Sequence, residues 1–455
     1  MTVALENTVH PQNEVETFLR ANPDIESIDA FVIDVNGLAR GKRMPVADLR
    51  QIYATGVQFS ACALLLDTRG LGHGAAGLGT RDGDPDGTGW PIPDTLKRAP
   101  WALHPTGQVQ LELRDVAKRE PLWWDPRAIL NDVVGRCRAD GIHPIVACEL
   151  EFYLFDPRRD RHGPLVPAAS PLTGRAPRAA ANLSLAALDE NAVFLTALQE
   201  AALAQDIPAS SAVAEYGLGQ FEINLNHIPD PVRAADHAAL LRRLIKGVAQ
   251  AQGVDATFMP KPFIDQPGNG FHIHVSIVDE SGTNRFGAAG GDALLQHAVA
   301  GMQALTLDSL AIFASHFNAH RRFQSVFVPR TLDWGHNNRS VAFRIPVADA
   351  AARRIEHRVA GADASPHLVM AAVLAATHHG ITNRLTATEP VTGRVSNALP
   401  EFSSGLLESL RRLEESAPLA RYIPERYLRT YAELKRSEYA AMVEQILPGE
   451  LDFYL

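Results

Sequence analysis

The stretch Phe271-His272-Ile273-His274-Val275-Ser276 alternates apolar side chains with polar ones, and it decides how the rest of the chain is interpreted. In a β-strand, successive side chains point to opposite faces, so the two histidines and the serine share one face. The apolar side chains share the other face, which suits a hydrophobic core. The stretch therefore predicts a strand with one chemically active face and one core face.

The same alternation recurs with charged side chains in other short segments. The charged residues in or beside these predicted strands are Glu149, Glu151, Glu215, Glu222, Arg344, Arg354, Glu356 and Arg358. Taken singly, each segment is more typical of a half-exposed strand with a solvated polar face. Taken together, they would gather many charges in the interior, which is costly unless the charges are paired or bind a metal.

The residue types in this set indicate a particular chemistry. Carboxylates with a histidine favour hard divalent cations such as Mg²⁺ or Mn²⁺. Arginines next to such metals suit a phosphorylated anion, because the guanidinium group matches phosphate and carboxylate oxygens. The pattern therefore predicts metal-assisted phosphoryl transfer.

Composition excludes several other classes of protein. The chain has 455 residues, of which 46% are hydrophobic and 21% charged, and a net charge of −9. This charge disfavours a nucleic-acid-binding protein, which would need a basic surface. Apolar runs are shorter than the roughly 18 residues of a membrane helix, and residues 1–14 do not match a signal peptide. The three cysteines are too scattered for a disulfide framework, so we expect a cytoplasmic protein without a membrane partner.

Local patterns predict an α+β fold with a small β-rich unit before a larger mixed unit. Asn36-Gly37 is a turn signal inside a hairpin predicted over residues 26–47. Residues 70–95 are rich in Gly, Asp and Pro and are predicted as a long loop. Asp125-Pro126 predicts a capped helix start. Further strands are predicted at 109–113, 145–155, 221–226, 271–277 and 341–345, and helices at 186–205, 234–253 and 365–378.

With these motifs in view, the sequence resembles the glutamine synthetase family over nearly its whole length. The matching segments are Glu149-x-Glu151, residues 215–223, 270–276, 318–322, 338–340, 344–346 and 354–358. The resemblance implies a β-grasp-like N-terminal domain (residues 1–118) and a catalytic domain with a curved antiparallel sheet and helices (119–455). It also implies a homo-oligomer, a dodecamer of two hexameric rings with sites between neighbouring subunits.

The resemblance also implies roles for individual residues. One metal would be held by Glu151, Glu215 and Glu222, and a second, nucleotide-side metal by Glu149, His272 and Glu356. Glutamate would be bound by Gly268, Arg322 and Arg358. The transferred phosphoryl group would be stabilised by Arg339 and Arg344. The implied catalytic arginines are therefore Arg322, Arg339, Arg344 and Arg358. The ATP site would be lined by His274, Ser276 and Arg354. The implied cofactors are ATP and Mg²⁺ or Mn²⁺.

Ammonia-using members carry two acids that this sequence lacks. One lies in the N-terminal domain, where residues 57–64 contain no acid, and the other lies in a flap that corresponds to residues 323–329. Without these acids, the site would accept a larger primary amine. The pattern resembles the γ-glutamylpolyamine and γ-glutamylamide synthetase branch. It implies an ATP-dependent ligase that joins L-glutamate to an amine such as putrescine or ethanolamine through γ-glutamyl phosphate.

Several alternatives stay open at this point. Asp333, the nearest acid, would replace the missing flap acid if the flap alignment were shifted, and the protein would then be an ammonia-using glutamine synthetase. A second alternative is a non-catalytic member of the family, and a third is a metal hydrolase that uses the same carboxylates. Intact metal and phosphate positions argue against the non-catalytic alternative, and a hydrolase would form product without ATP.

Overall fold

The computed structural model describes residues 11–72, 74–158, 163–325, 327–395 and 401–445. Two sheets with their covering helices account for most of this chain. The first sheet is built from β1 (Ser27–Ile33), β2 (Ala39–Pro45), β3 (Val57–Ser60), β4 (Asp86–Pro91), β5 (Lys97–Arg98) and β6 (Thr106–Arg114). The second sheet is built from β7 (His143–Phe155), β8 (Ala209–Ala214), β9 (Gln220–Leu225), β10 (Asp255–Thr257), β11 (Phe271–Val278), β12 (Trp334–His336), β13 (Phe343–Ile345) and β14 (Ile355–His357).

Helices lie before, between and after these strands, and the α+β class predicted from the sequence is confirmed. The helices are α1 (Pro11–Ala21), α2 (Leu49–Thr55), α3 (Pro126–Ala139), α4 (Leu185–Glu190), α5 (Ala192–Ala204), α6 (Pro231–Ala251), α7 (Gly291–Leu305), α8 (Leu310–Phe313), α9 (Phe317–Arg322), α10 (Pro366–Thr382), α11 (Gly405–Glu415), α12 (Ala417–Ala420) and α13 (Glu425–Val443). Within the described parts of the chain, we find no helix with the length and apolar character needed to cross a membrane.

The first sheet has the strand order β2-β1-β6-β4-β3, with β5 paired to β6. The hairpin predicted over residues 26–47 is confirmed as β1 and β2. Its turn is closed by Asp34, whose Oδ1 accepts hydrogen bonds from the N–H groups of Asn36 at 2.9 Å and Leu38 at 2.8 Å. Arg40 neutralises the same buried carboxylate at 2.8 Å. The predicted domain boundary at residues 118/119 lies between β6 and α3 and stays a prediction.

The prediction of a continuous loop over residues 70–95 is wrong at its C-terminal part. Residues 86–91 form β4, which pairs with both β3 and β6. The glycines that indicated a loop are needed for close packing inside this sheet. A Cβ atom on Gly89 would lie 2.9 Å from Cδ1 of Leu111 on the neighbouring strand, so a larger residue would displace the Leu111 side chain.

The second sheet has the order β12-β13-β14-β11-β7-β9-β8, and β10 pairs with β7. Its pairs are antiparallel apart from the parallel pair β12 and β13. The strands predicted around residues 145–155, 221–226 and 271–277 are confirmed. The single helix predicted over residues 186–205 is wrong, because Asn191 divides it into α4 and α5. The Asn191 amide bonds back to the Ala187 carbonyl at 2.9 Å, and such local bonds compete with helix continuation.

Helices α3 and α6 pack against β7 of the second sheet, and α10 packs against both of these helices. The predicted helix start at Asp125-Pro126 is confirmed, since the Asp125 carboxylate accepts a hydrogen bond from the Arg127 N–H at 2.8 Å. A buried ion network at Asp236 joins these helices to the first sheet. Gln110 on β6 donates to Asp236 at 2.7 Å, Arg127 lies at 3.1 Å, and His367 at 2.9 Å. Burial acts to raise the pKa of Asp236, but Arg127 and His367 outweigh it and hold the pKa well below its ordinary value.

The Asp236 network yields a stability prediction. Asp236→Asn should lower the free energy of unfolding by about 3 kcal/mol, because it removes the nearer of the two carboxylates that pair with Arg127 and leaves only Glu112 at 3.5 Å. Since the carboxylate's pKa is lowered on folding, its contribution should be full at neutral pH and be lost as pH falls below about 4. Urea unfolding midpoints at several pH values would measure both effects. Glu425→Gln, which breaks an exposed pair with Arg429, is the matched control and should change little.

Candidate active site

Strand register brings the predicted acidic residues onto one face of the second sheet. Glu149 on β7 lies opposite His272 on β11 and opposite Asn224 on β9. Glu151, two residues further along β7, lies opposite Glu222. Residues directly opposite each other in an antiparallel pair share a face, so five polar side chains from three strands converge here.

The neighbouring strands extend this polar face. Glu356 on β14 lies opposite His274 on β11 and opposite Arg344 on β13. The apolar residues of β11 are almost fully buried on the other face, as the sequence predicts. The alternation seen in residues 271–276 is therefore confirmed as the division between core and site.

Glu149 lies between the two histidines of β11. His272 Nδ1 is 3.1 Å from one carboxylate oxygen of Glu149, and His274 Nε2 is 2.7 Å from the other. Burial acts to raise the pKa of Glu149, but the two histidines lower it well below its ordinary value. Arg354 Nε donates to the remaining nitrogen of His274 at 3.2 Å. Both histidines thus contact one acid, and the assignment of His274 to the nucleotide stays a prediction.

The other acids of the face are crowded and only partly neutralised. Burial and the charges of the neighbouring glutamates raise the pKa of Glu222 well above its ordinary value. Burial and Glu151 raise the pKa of Glu215 to about 7. Carboxylates this close repel one another, so a divalent cation would stabilise the group.

Two sets of side chains on this face fit a metal ion. In each set, the ligand atoms lie within 4.8 Å of one another: Glu149 with Glu222 and His272, and Glu149 with His274 and Glu356. Oxygen-rich sets of this kind suit Mg²⁺ or Mn²⁺, which would neutralise the charges of a phosphorylated substrate when bound. The partition of six ligands between two metals that the resemblance implies stays a prediction.

Three arginines lie next to the acidic face, of which Arg322 and Arg358 are buried and Arg344 is partly buried. Arg344 and Arg358 both pair with Glu356, Arg344 at 2.7 Å, and Arg322 Nη1 donates to the Val359 carbonyl at 2.7 Å. Burial acts to raise the pKa of Glu356, but Arg358 and the nearby histidines lower it to about 2. Among the residues that the structure describes, the Nε atoms of all three arginines are buried without a hydrogen-bond partner. Unused guanidinium donors in one place suit an anionic ligand.

Gly268 and Gly270 bring backbone close to this cluster. A Cβ atom on Gly268 would lie 2.7 Å from Cγ of Arg322, and one on Gly270 would lie 2.7 Å from Nε2 of His272. The Gly270 N–H donates to Glu151 at 2.6 Å. A Cβ atom on Gly268 would also lie 2.5 Å from the Pro260 carbonyl oxygen, so only glycine fits there, whereas a side chain at Gly270 would displace His272 and Arg322. The substrate-binding role of Gly268 stays a prediction.

Gln220 is a positioning residue that sequence analysis missed. Its buried amide donates to the Gly268 carbonyl at 3.1 Å and to Asn269 at 3.0 Å, and it accepts from the Gly217 N–H at 3.0 Å. It therefore ties the turn that carries Glu215 to the segment before β11. The available sequence signal was a polar residue, Gln220, between Gly219 and a strand. Its partners Gly268 and Asn269 lie 48 and 49 residues further along the chain, so the pattern did not reveal them.

The remaining predicted residues lie around the same face with weaker contacts. Ser276 Oγ donates to the Arg353 carbonyl at 2.9 Å, which holds the segment that carries Arg354. Arg339 is exposed, and its charge acts to lower the pKa of Glu215. Ser276 thus holds the residue that precedes Arg354 by a direct hydrogen bond. Arg339 is close enough for its charge to act on Glu215.

The chain belongs to the glutamine synthetase family, since residues 124–454 match the description "Glutamine synthetase, catalytic domain". The gamma-glutamylputrescine synthetase PuuA of Escherichia coli (strain K12) is 38% identical over 97% of this chain and 94% of that protein. A glutamate–isopropylamine ligase of a Pseudomonas species is 28% identical over 90% and 91%. A solved structure described as apo GmaS without ligand has a TM-score of 0.79 at 25% identity, covering 95% of this chain and 97% of that one. The resemblance predicted from the motifs, including its γ-glutamylamide branch, is confirmed.

Removal of the central acid tests the metal site. Glu149→Gln should weaken Mn²⁺ binding at least about tenfold, because loss of even an outer-sphere partner of a metal ligand typically costs that much. Calorimetric titration with Mn²⁺ alone would measure the change. Glu120→Gln, at an exposed acid beyond β6, is the control and should bind as the unmodified protein does. An unchanged affinity in Glu149→Gln would contradict a metal site on this face.

Proposed function

We propose that this protein is an ATP-dependent ligase that joins the γ-carboxylate of L-glutamate to a primary amine. One observation carries the proposal: a half-buried sheet face holds clustered carboxylates next to three arginines whose Nε donors are unused among the described residues. Similarity over nearly the whole chain to proteins named for putrescine and isopropylamine supports the amine as acceptor. Polyamines such as putrescine are the leading acceptors, followed by monoamines such as ethanolamine.

The proposed reaction has two steps, because a carboxylate does not react with an amine directly. A γ-carboxylate oxygen of glutamate first attacks the terminal phosphorus of ATP, and the phosphorus–oxygen bond to ADP breaks. The amine nitrogen then attacks the γ-carbonyl carbon, and the carbon–oxygen bond to phosphate breaks as phosphate leaves with the electron pair. The nitrogen loses a proton as the amide forms. Phosphorylation thus converts a poor leaving group into a good one.

The arrangement supports specific roles for the side chains. Arg322 and Arg358 would bind glutamate together with Gly268, whose backbone lies close to Arg322. Arg339 and Arg344 would stabilise the charge of the transferred phosphoryl group, since donors aimed at developing charge lower the barrier. ATP would lie against His274, Ser276 and Arg354, next to the metal-binding acids Glu149, Glu151, Glu215, Glu222 and Glu356 with His272.

The flap residues favour an amine over ammonium. Residues 323–329 contain no acid, and Val326 lies outside the described residues. Asp333, the nearest acid, accepts a hydrogen bond from the Thr331 hydroxyl. In the first sheet, Phe59 is buried with Lys42 over its ring, and residues 57–64 carry no acid. An anionic cage for ammonium is thus not built from these segments.

The family resemblance supports a further part of the proposal, which concerns assembly and location. We infer a homo-oligomer, a dodecamer of two hexameric rings, that acts in the cytoplasm. The catalytic unit would begin near residue 119. The oligomer could be measured by analytical ultracentrifugation.

An amine screen tests the proposed activity. With ATP, Mg²⁺ and L-glutamate, we expect phosphate release with putrescine or ethanolamine, together with the matching γ-glutamyl amide by mass spectrometry, and little with ammonium. Efficient glutamine formation at low ammonium would identify an ammonia-using synthetase instead. Absence of phosphate release with every amine would favour a non-catalytic protein, and product formed without ATP would favour a hydrolase.

Arg339 allows a clean test of phosphoryl stabilisation because its side chain is exposed. Arg339→Gln should lower kcat by about 100-fold or more, the usual effect of removing one donor to developing charge. Its thermal unfolding midpoint should stay unchanged, since the side chain is not part of the core. Arg429→Gln, at an exposed arginine of α13, is the control. A variant with unchanged kcat would contradict the assigned role.

A further inference from the structure

Two aromatic rings from distant parts of the chain stack beside the acidic face. Tyr216, which follows Glu215, and Phe327 of the flap have ring centroids 5.2 Å apart and planes inclined by 28°. The exposed fractions of the two side chains are 43% and 48%. Large aromatic side chains left half exposed are costly in water, so a pair of them next to a reactive site indicates a binding surface.

The backbone of Phe327 is strained. Its φ angle is +64°, a left-handed conformation that bulky residues rarely adopt. Such strain persists where the surrounding structure requires it, and it is concentrated at ligand clamps and active sites. The ring that stacks on Tyr216 is thus carried by a residue in this uncommon backbone conformation.

The Tyr216 side of the pair is firmly held. Its turn is anchored by Gln220, and the Leu218 N–H donates to Gln266 on the adjacent loop at 3.3 Å. On the same loop, Phe263 packs against Tyr153 with ring centroids 5.1 Å apart. One ring is therefore fixed to the framework of the acidic face, and the other is carried by the flap.

We propose that Tyr216 and Phe327 form an aromatic clamp that binds the hydrocarbon body of the acceptor amine. The inference rests on the proposed function and adds its substrate class, namely alkylamines with several methylene groups. Because the two rings already stack on each other at 5.2 Å, the methylenes would lose water against their exposed outer surfaces. An alkylammonium is also attracted to such an aromatic face. Glu215, next in the chain to Tyr216, places the clamp beside the acids, so an amine held there has its nitrogen near the reacting centre.

Direct binding tests the clamp separately from turnover. Methyl-, ethyl-, propyl- and butylamine would be titrated calorimetrically into the protein with Mg²⁺, ADP and L-glutamate. The unmodified protein should bind each longer amine about fourfold more tightly, the usual value of one buried methylene. In Tyr216→Ala and Phe327→Gly, the gain should fall below about twofold per methylene. Glycine accepts the positive φ angle, so the second variant removes the ring without adding strain.

Ile264→Ala is the matched control, because this apolar side chain lies on the adjacent loop, is 84% exposed and belongs to neither ring. It should keep the fourfold dependence. The clamp is overturned if both ring variants keep that dependence, or if the unmodified protein shows no dependence on chain length. Phosphate release measured in parallel reports on the proposed function, so binding without release would contradict the ligase and leave the clamp supported.

Discussion

The register of β7 with β11 and β9 is the constraint on which the site depends. Glu149 lies opposite His272 and Glu151 opposite Glu222, so a shift of one residue would turn these acids into the core. The apolar face of the same strands prevents such a shift, because it is buried against helices. The hydrophobic core thus fixes the position of the charged face.

Charge balance on this face explains why it can bind ligands. Glu149 is compensated by two histidines and Glu356 by two arginines, whereas burial and neighbouring acids raise the pKa of Glu222 and Glu215. The three arginines keep buried donors without a partner within the described chain. The uncompensated acids thus favour a bound cation, and the unused arginine donors favour a bound anion. A metal–nucleotide complex and a carboxylate substrate supply both, which links the electrostatics to the proposed reaction.

Much of this face could be predicted from the sequence, because alternation along a strand determines which side chains share a side. Residues 271–276 show this directly, and family motifs added the partners. Long-range pairing could not be predicted: the tether from Gln220 to Gly268 and the contact of His274 with Glu149 depend on register. The glycines of residues 86–91 indicated a loop, but Gly89 lies in β4, where it packs closely against Leu111 on the neighbouring strand. The Tyr216–Phe327 stack likewise joins segments with no local signal.

The central claim is that this face activates glutamate as an acyl phosphate for attack by an amine. The most direct measurement uses L-glutamate labelled with ¹⁸O in its γ-carboxylate, together with ATP, Mg²⁺ and putrescine, and mass spectrometry of the released phosphate. Attack by a carboxylate oxygen on phosphorus predicts one ¹⁸O atom transferred to phosphate for each γ-glutamyl amide formed. Amide formation accompanied by unlabelled phosphate would contradict the account.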